Sequence, residues 1–326
     1  MIVPDHWAEA RKQYRSSGRQ VTVRRYGWST VSEADALAMA ETRVDEALRR
    51  VLAGEKLYKR EPKVAYNGAT GVPIREEVLA RHGEEVITRN SYGAHCLNTP
   101  NALFADIDFA QPKSAKPALI AFAILAAISA MVGASLKSWS ITLGMLGASL
   151  FAAGMLSALV VRLVVAARGG PERIARGRID DFLSGNPTWN LRLYRTPAGY
   201  RILATHQPFE ATETKVQNFF AAVSTDPVYV RMCINQRCFR ARLTAKPWRI
   251  GISAHMRPRP GVWPVRAERM ALRSEWIAEY EARAAAFSAC RFVESIGSGI
   301  IHESLQAVIE LHDHESRAHV AEATLA

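Results

Sequence analysis

Residues 118–161 read ALIAFAILAAISAMVGASLKSWSITLGMLGASLFAAGMLSALVV, two long apolar runs in a chain that is otherwise strongly charged. The first, Ala118 to Leu136, holds 19 residues without a charge, and the second, Ser138 to Val161, holds 24, with only Lys137 between them. A helix needs about 20 apolar residues to cross the hydrocarbon core of a bilayer, so each run is long enough to span. Helices of a large soluble core usually keep a polar residue every turn or two, and these do not. Lys137, Ser138 and Trp139 leave almost no loop, so the chain should enter the bilayer and return as a tight hairpin.

The flanks set the expected orientation. Lys113 and Lys116 precede the first run, and Arg162, Arg168, Arg173, Arg176 and Arg178 end or follow the second, against Lys137 alone in the turn. The positive-inside rule then puts both flanks in the cytoplasm. The reading is a multi-pass protein of the cytoplasmic membrane with both termini cytoplasmic. Ala130, Ala134, Gly144, Ala148, Gly154 and Ala158 recur four apart, a stripe expected to let the two helices approach closely. The N-terminal stretch MIVPDHWAEARKQYR has no apolar run of the secretory kind. Three segments follow: an N-terminal cytoplasmic part (1–116), the hairpin (117–168) and a C-terminal cytoplasmic part (169–326).

Outside the hairpin the periodicities mix helix and strand. Ser32 followed three residues later by Asp35 is a capping-box start. Leu37, Ala40, Val44, Ala47, Leu48 and Val51 continue at helical spacing to Gly54, which predicts an amphipathic helix covering a sheet. A Gly- and Pro-bearing loop, Asn67 to Pro73, leads to a short charged helix expected around Arg75 to His82. The apolar stretch Ala102 to Phe109 reads as a strand. Trp189–Tyr194 and Tyr200–Thr205 read as a β-hairpin turning at Pro197, Ala198 and Gly199. Thr214–Val223 reads as a helix, Val228–Asn235 and Arg237–Leu243 as strands, and Arg266–Arg291 and Ser304–His312 as helices. The fold class is α+β, a small antiparallel-rich sheet with flanking helices, interrupted by a two-helix transmembrane hairpin.

Asp106 and Asp108 stand two apart on a predicted strand, so both carboxylates share one face while Ile107 and Phe109 point into the core. Two rigidly held acids repel unless a cation lies between them, and Mg²⁺ with nucleotide phosphates is one solution; a polar strand end with solvated acids is the other. The turn of WNLRLYRTPAGYRILATH gathers Arg195, Thr196, Arg201 and His206 toward one end of the sheet, where they would suit a triphosphate. From Arg231 to Arg269 there are ten Lys or Arg against the one acid Glu268. Such density marks a surface for phosphates of nucleic acid or for anionic lipid headgroups. Within it Arg240 and Arg242 share one strand face and Lys246, Trp248 and Arg249 follow in a turn, basic groups interleaved with an aromatic. Arg257 to Arg266, RPRPGVWPVR, reads as an extended basic loop.

Cys96, Cys233, Cys238 and Cys290 are expected as reduced thiols, and the CINQRC spacing has no second donor pair at zinc-site distance. His302, His312, Asp313 and His314 read as a solvated helix end.

An apolar strand ending in Asp-x-Asp, LFADIDF, followed by the strand-turn-strand RTPAGYRIL, resembles the palm of the archaeo-eukaryotic primase and primase-polymerase superfamily, above all its phage and plasmid branch. The resemblance implies an RRM-like palm, catalytic metal on Asp106 and Asp108, a small-x-His motif on the incoming nucleotide, and a later acid completing the metal site. Arg201 stands where that His is usual, with Ala204, Thr205 and His206 as a shifted alternative. Asp226, in STDPVY, is the third acid by order along the chain.

Overall fold

The computed structural model describes the chain except residues 2, 17, 62–71 and 110–115. Most of the Asn67–Pro73 loop and the flanking Lys113 therefore lie outside the described residues.

The chain opens with a long antiparallel hairpin, β1 (His6–Ser16) and β2 (Arg19–Ser29), paired from His6↔Ser29 to Ser16↔Arg19. Helix α1 (Glu33–Leu52) lies across it, started by Ser32, whose hydroxyl accepts from the Asp35 amide. Ala36, Ala40, Val44, Ala47 and Val51 form its buried stripe, four of them in one core with Ala10, Val21 and Val23. Small residues let the helix sit close: a Cβ on Gly27 of β2 would lie 2.0 Å from the Ala36 carbonyl oxygen. The helix was expected to cover a sheet and does. The sheet beneath it was not foreseen, because the outer half of β1 is exposed on both faces and shows no alternation.

Strands β3 (Glu77–His82), β4 (Glu85–Arg89) and β5 (His95–Thr99) form a meander. The charged stretch predicted as a helix at Arg75–His82 is thus extended. His82 pairs with Glu85 across a two-residue turn in which Gly83 takes a φ of +63°, and the ladder to β4 overrides the helix propensity of Glu and Arg. Strand β6 (Phe104–Asp108) follows and leads toward α2 (Lys116–Ser135) and α3 (Trp139–Ala167).

These two helices bury little except each other. Their most apolar windows have mean hydropathies of 2.3 and 2.2, with 17% and 6% of residues buried, whereas a core helix would be covered on most sides. Leu119, Ile124, Phe151 and Leu163 are open outward. The contact runs along Ser129, whose hydroxyl meets that of Ser149 at 3.0 Å, and Gly133, where a Cβ would collide with the Thr142 side chain. The small residues predicted for this contact, Ala130, Ala134, Gly144, Ala148, Gly154 and Ala158, all face outward instead. The buried positions, Ser129, Gly133, Ser149 and Ala153, each lie one residue from that stripe.

Helix α4 (Gly170–Gly185) follows, then the hairpin β7 (Asn190–Arg195) and β8 (Gly199–Ala204), α5 (Thr214–Val223) and α6 (Pro227–Gln236). Helix α6 replaces the strand predicted at Val228–Asn235. Asp226 caps it by accepting from the Val228 amide, Pro227 fits its first turn, and Tyr229, Met232, Cys233 and Gln236 are buried at helical spacing, so the β-branched valines mislead. Strand β9 (Phe239–Arg242), α7 (Met270–Ala284), β10 (Phe287–Ser288), β11 (Arg291–Gly297), α8 (Glu303–Glu315) and β12 (Thr324–Leu325) complete the chain. The helix predicted to reach Arg291 ends at Ala284, and the residues beyond it enter β10 and β11.

Two four-stranded antiparallel sheets result, in the orders β3-β4-β5-β9 and β11-β7-β8-β6. Each recruits strands from both sides of the apolar hairpin. One core joins them, with Leu97 and Ala241 from the first, Phe104, Leu193 and Ile202 from the second, and Phe219, Phe220 and Tyr229 from α5 and α6. At the seam the buried Tyr229 hydroxyl donates to the Phe104 carbonyl of β6 and accepts from the Arg240 amide of β9.

Candidate functional site

The seam opens into a cavity of about 210 Å³. Asp106 and Asp108 reach it from β6, Asp226 from the start of α6, Arg201 from β8, Arg242 from β9, and Lys246 and Arg249 from the turn after β9. The Asp226 amide donates to the Asp106 carbonyl, which ties the third acid to the strand carrying the other two. The glycine of the β7–β8 turn keeps this end closed: a Cβ on Gly199 would lie 1.9 Å from the Ile107 carbonyl oxygen, between the two aspartates in sequence.

The charges sort into two groups. Arg201 is opposite Asp106 in the strand register, 1% exposed, with Nε 3.0 Å from the Asp106 carboxylate and Nη1 donating to the Arg242 carbonyl. Burial acts to lower its pKa, but Asp106 more than offsets this and holds the guanidinium above its ordinary value. Among the described residues Asp108 has no such partner. Partial removal from water, then the charges of Asp106 and Asp226, push its carboxyl above the usual range. On the facing wall burial, then Arg242 and Arg249, push the Lys246 amine down, and burial and Arg242 lower Arg249. Among the described residues no salt bridge reaches Asp108, Asp226, Arg242, Lys246 or Arg249, and Arg249 Nη1 is buried without a hydrogen-bond acceptor. Acids and cations that form no salt bridge with each other therefore face one another across the cavity.

Behind the cavity lies a buried polar group. His312 Nε2 is 3.4 Å from Arg201 Nη1, and its Nδ1 is 3.0 Å from Asp313, which also pairs with Arg192 at 2.6 Å. His312 is 0% exposed, so it is not the solvated helix end that the sequence suggests; α8 turns it onto the β8 side of the core. His314 is exposed as expected.

Of the residues expected to hold phosphates, Thr196 and Arg201 line the cavity, although the Thr196 hydroxyl is occupied by the Gly199 amide. Arg195 does not line it; its guanidinium lies over Phe109 and pairs with Glu172 at 3.0 Å. Nor does His206, which packs on Trp189 and Phe209 and accepts from the Asn190 amide. Arg195 on β7 is paired with Tyr200, one residue from Arg201, so alternation turns it to the other face, and His206 lies beyond the end of β8 at Ala204. The basic turn expected as a separate surface is the wall of the same cavity, because β9 pairs with β5 and brings Arg242, Lys246 and Arg249 opposite β6. Arg240 also lines the cavity but is no surface residue: it is 4% exposed and ion-paired with the equally buried Glu76. Tyr92, from the β4–β5 turn, also lines the cavity and went unnoticed in the sequence, where nothing marks it apart from other turn aromatics. The four cysteines are free and buried.

The chain matches no protein-family model, no curated protein and no solved structure. The site must be read from its own chemistry. Among the described residues no three metal-donor side chains stand together as a ready-made cage. Mg²⁺ rarely uses one; it binds through one or two carboxylates and completes its shell with water and substrate phosphates. Asp108 and the second oxygen of Asp106 fit that use.

The raised Asp108 pKa has a consequence for stability. The folded state holds this proton more tightly than the unfolded chain, so the stabilisation it brings is full below the ordinary Asp value of about 3.9 and is lost as pH rises through the raised value. Asp108→Asn should therefore melt higher than the parent at pH 7 in EDTA, with the gap closing under acid. Equal melting temperatures at pH 7 would mean that neither burial nor like charge strains the Asp108 carboxylate.

Proposed function

We propose that this is a two-span protein of the cytoplasmic membrane whose cytoplasmic body binds a nucleoside triphosphate with Mg²⁺, in a site similar to the primase-polymerase palm. The observation that carries this is the opposition of Asp106, Asp108 and Asp226 to Arg242, Lys246 and Arg249 across one cavity, with no salt bridge joining the two groups among the described residues. A metal-phosphate ligand satisfies both walls at once. The three cations take the phosphate oxygens, while Arg201 holds Asp106 in place from behind. Bound Mg²⁺, held by Asp106 and Asp108, would supply the positive charge that offsets the acids and the phosphates together.

The palm reading has support in connectivity. Strands β6 and β7 run parallel with β8 between them, and α4 lies with α2 and α3 in the crossover, a connectivity similar to the split βαβ of ferredoxin-like palms. Strand β11 joins beside β7, whereas such a palm would add its last strand beside the first. Arg201 also neutralises an acid that a transferase would leave to metal, so nucleotide binding, not transfer, is the activity proposed. The membrane reading rests on the uncovered apolar surface of α2 and α3 and on the excess of Arg and Lys at their base, Lys116, Arg162, Arg168 and Arg173 against Lys137 at the turn.

A second reading has an observation of its own. Arg257, Arg259, Arg266 and Arg269 are exposed beside the body, a surface for nucleic acid or anionic lipid headgroups. Calorimetry of the detergent-solubilised protein separates the two. Binding of ATP should require Mg²⁺ and fall only modestly between 50 and 200 mM salt. Polyanion binding that persists in EDTA and drops by orders of magnitude over that range would favour the second reading instead.

A further inference from the structure

We infer that Trp248 and Tyr92 form a stacking platform for the base of the nucleotide whose phosphates occupy the acidic and basic cavity, a proposal that rests on the reading above. The cavity's 210 Å³ suits phosphates but is smaller than the roughly 300–1,000 Å³ of sites that enclose a whole drug-sized ligand. The base must therefore lie outside it, and beside it stands Trp248, packed on the cavity-lining Tyr92.

Trp248 sits between Lys246 and Arg249, both of which line the cavity, on a 3₁₀ turn spanning Pro247–Arg249. It is 57% exposed, while Trp7, Trp189 and Trp276 of the same body are each under 9%. Leaving so large an apolar ring in water is unfavourable without a partner to cover it. The ring is nevertheless held firmly. Its turn is closed by bonds from the Arg249 amide to the Lys246 carbonyl and from the Ile250 and Ile252 amides to the Pro247 carbonyl. Tyr92 meets it edge-on, with centroids 5.3 Å apart and planes at 60°, and Lys246 Nζ is 5.5 Å from its centre. An open indole fixed beside two phosphate-seeking cations is the arrangement that binds a base through its π-face and a phosphate through charge. Stacking of this kind tolerates any base, so the platform would select for a nucleobase and not for its identity.

The test compares ATP with inorganic tripolyphosphate, each titrated with Mg²⁺ into the full-length protein in detergent. The parent should bind ATP about ten-fold or more tighter than tripolyphosphate, the order of one stacked base. In Trp248→Ala the ratio of the two affinities should fall to about one, and Trp248→Phe should recover most of it. A parent that binds both ligands equally, or a Trp248→Ala variant that keeps the ratio, overturns the platform while leaving the phosphate site standing. A variant that weakens both ligands alike assigns Trp248 to the framework and also overturns it. If the parent binds neither ligand, the phosphate site itself is wrong and the platform goes with it.

Discussion

Glu76→Ala should destabilise the body by about 3–5 kcal/mol, the usual loss when one member of a buried ion pair is removed, out of a total of about 5–15 kcal/mol for a typical domain. Glu76 is 2% exposed and Arg240 4%. The same carboxylate oxygen that pairs with Arg240 accepts from the Thr88 hydroxyl at 2.7 Å, and Asn98 donates to Thr88 and to the Val86 carbonyl. Thr88, Asn98 and Arg240 come from β4, β5 and β9, so one carboxylate organises a polar row buried against three strands of a sheet. Without it the guanidinium, 4% exposed, loses its carboxylate, and Thr88 loses its acceptor. The double variant Glu76→Met/Arg240→Met should lose much less, because it removes both charges and keeps the volume. Denaturant unfolding followed by tryptophan fluorescence reads both. A single-variant loss under about 1 kcal/mol would mean that the pair is hydrated and surface-like. Arg242, two residues along the same strand, reaches the cavity, so the site should loosen with this sheet.

Part of this arrangement is legible in the chain and part is not, and the division follows the range of the interactions. The apolar hairpin, the Ser32 cap and the Asp106–Asp108 strand are local patterns of hydropathy, capping and period two, and each lies where its pattern puts it. Asp226 was placed only by order along the chain. It reaches Asp106 because an Asp before Pro starts helix α6, a local signal that the neighbouring valines obscured. The basic turn looked like a second surface because its position depends on β9 pairing with β5 across more than 140 residues, which no local pattern records. The burial of Arg240 and His312 was invisible for the same reason. An arginine and a histidine at those places are spaced like surface residues, and only their distant partners, Glu76 and Arg201, take them inside.

Replacing both Asp106 and Asp108 with Asn should abolish Mg²⁺-dependent ATP binding, a loss beyond the roughly 10–100-fold that removing an outer-shell partner of a metal ligand costs. The two positions are not equivalent, and the single variants make the result interpretable. Asp106 neutralises Arg201, which is 1% exposed, so Asp106→Asn leaves a buried guanidinium short of its anion and should lower stability as well as binding. Asp108 has no salt bridge among the described residues, and burial, then the charges of Asp106 and Asp226, raise its carboxyl pKa, so Asp108→Asn should bind less and melt higher. Opposite signs of stability change with the same sign of binding change would separate a ligand-holding role from a structural one. Calorimetry with ATP and Mg²⁺, beside thermal melts in EDTA, supplies both quantities. Unchanged ATP binding in the folded double variant would show that the carboxylates do not carry the metal, and the cavity would then be an anion site built by Arg242, Lys246 and Arg249 alone. The charge arrangement argues against that outcome, because an anion bound by those three cations would sit against Asp108 and Asp226, two acids that no salt bridge reaches among the described residues, a repulsion that a cation between them relieves.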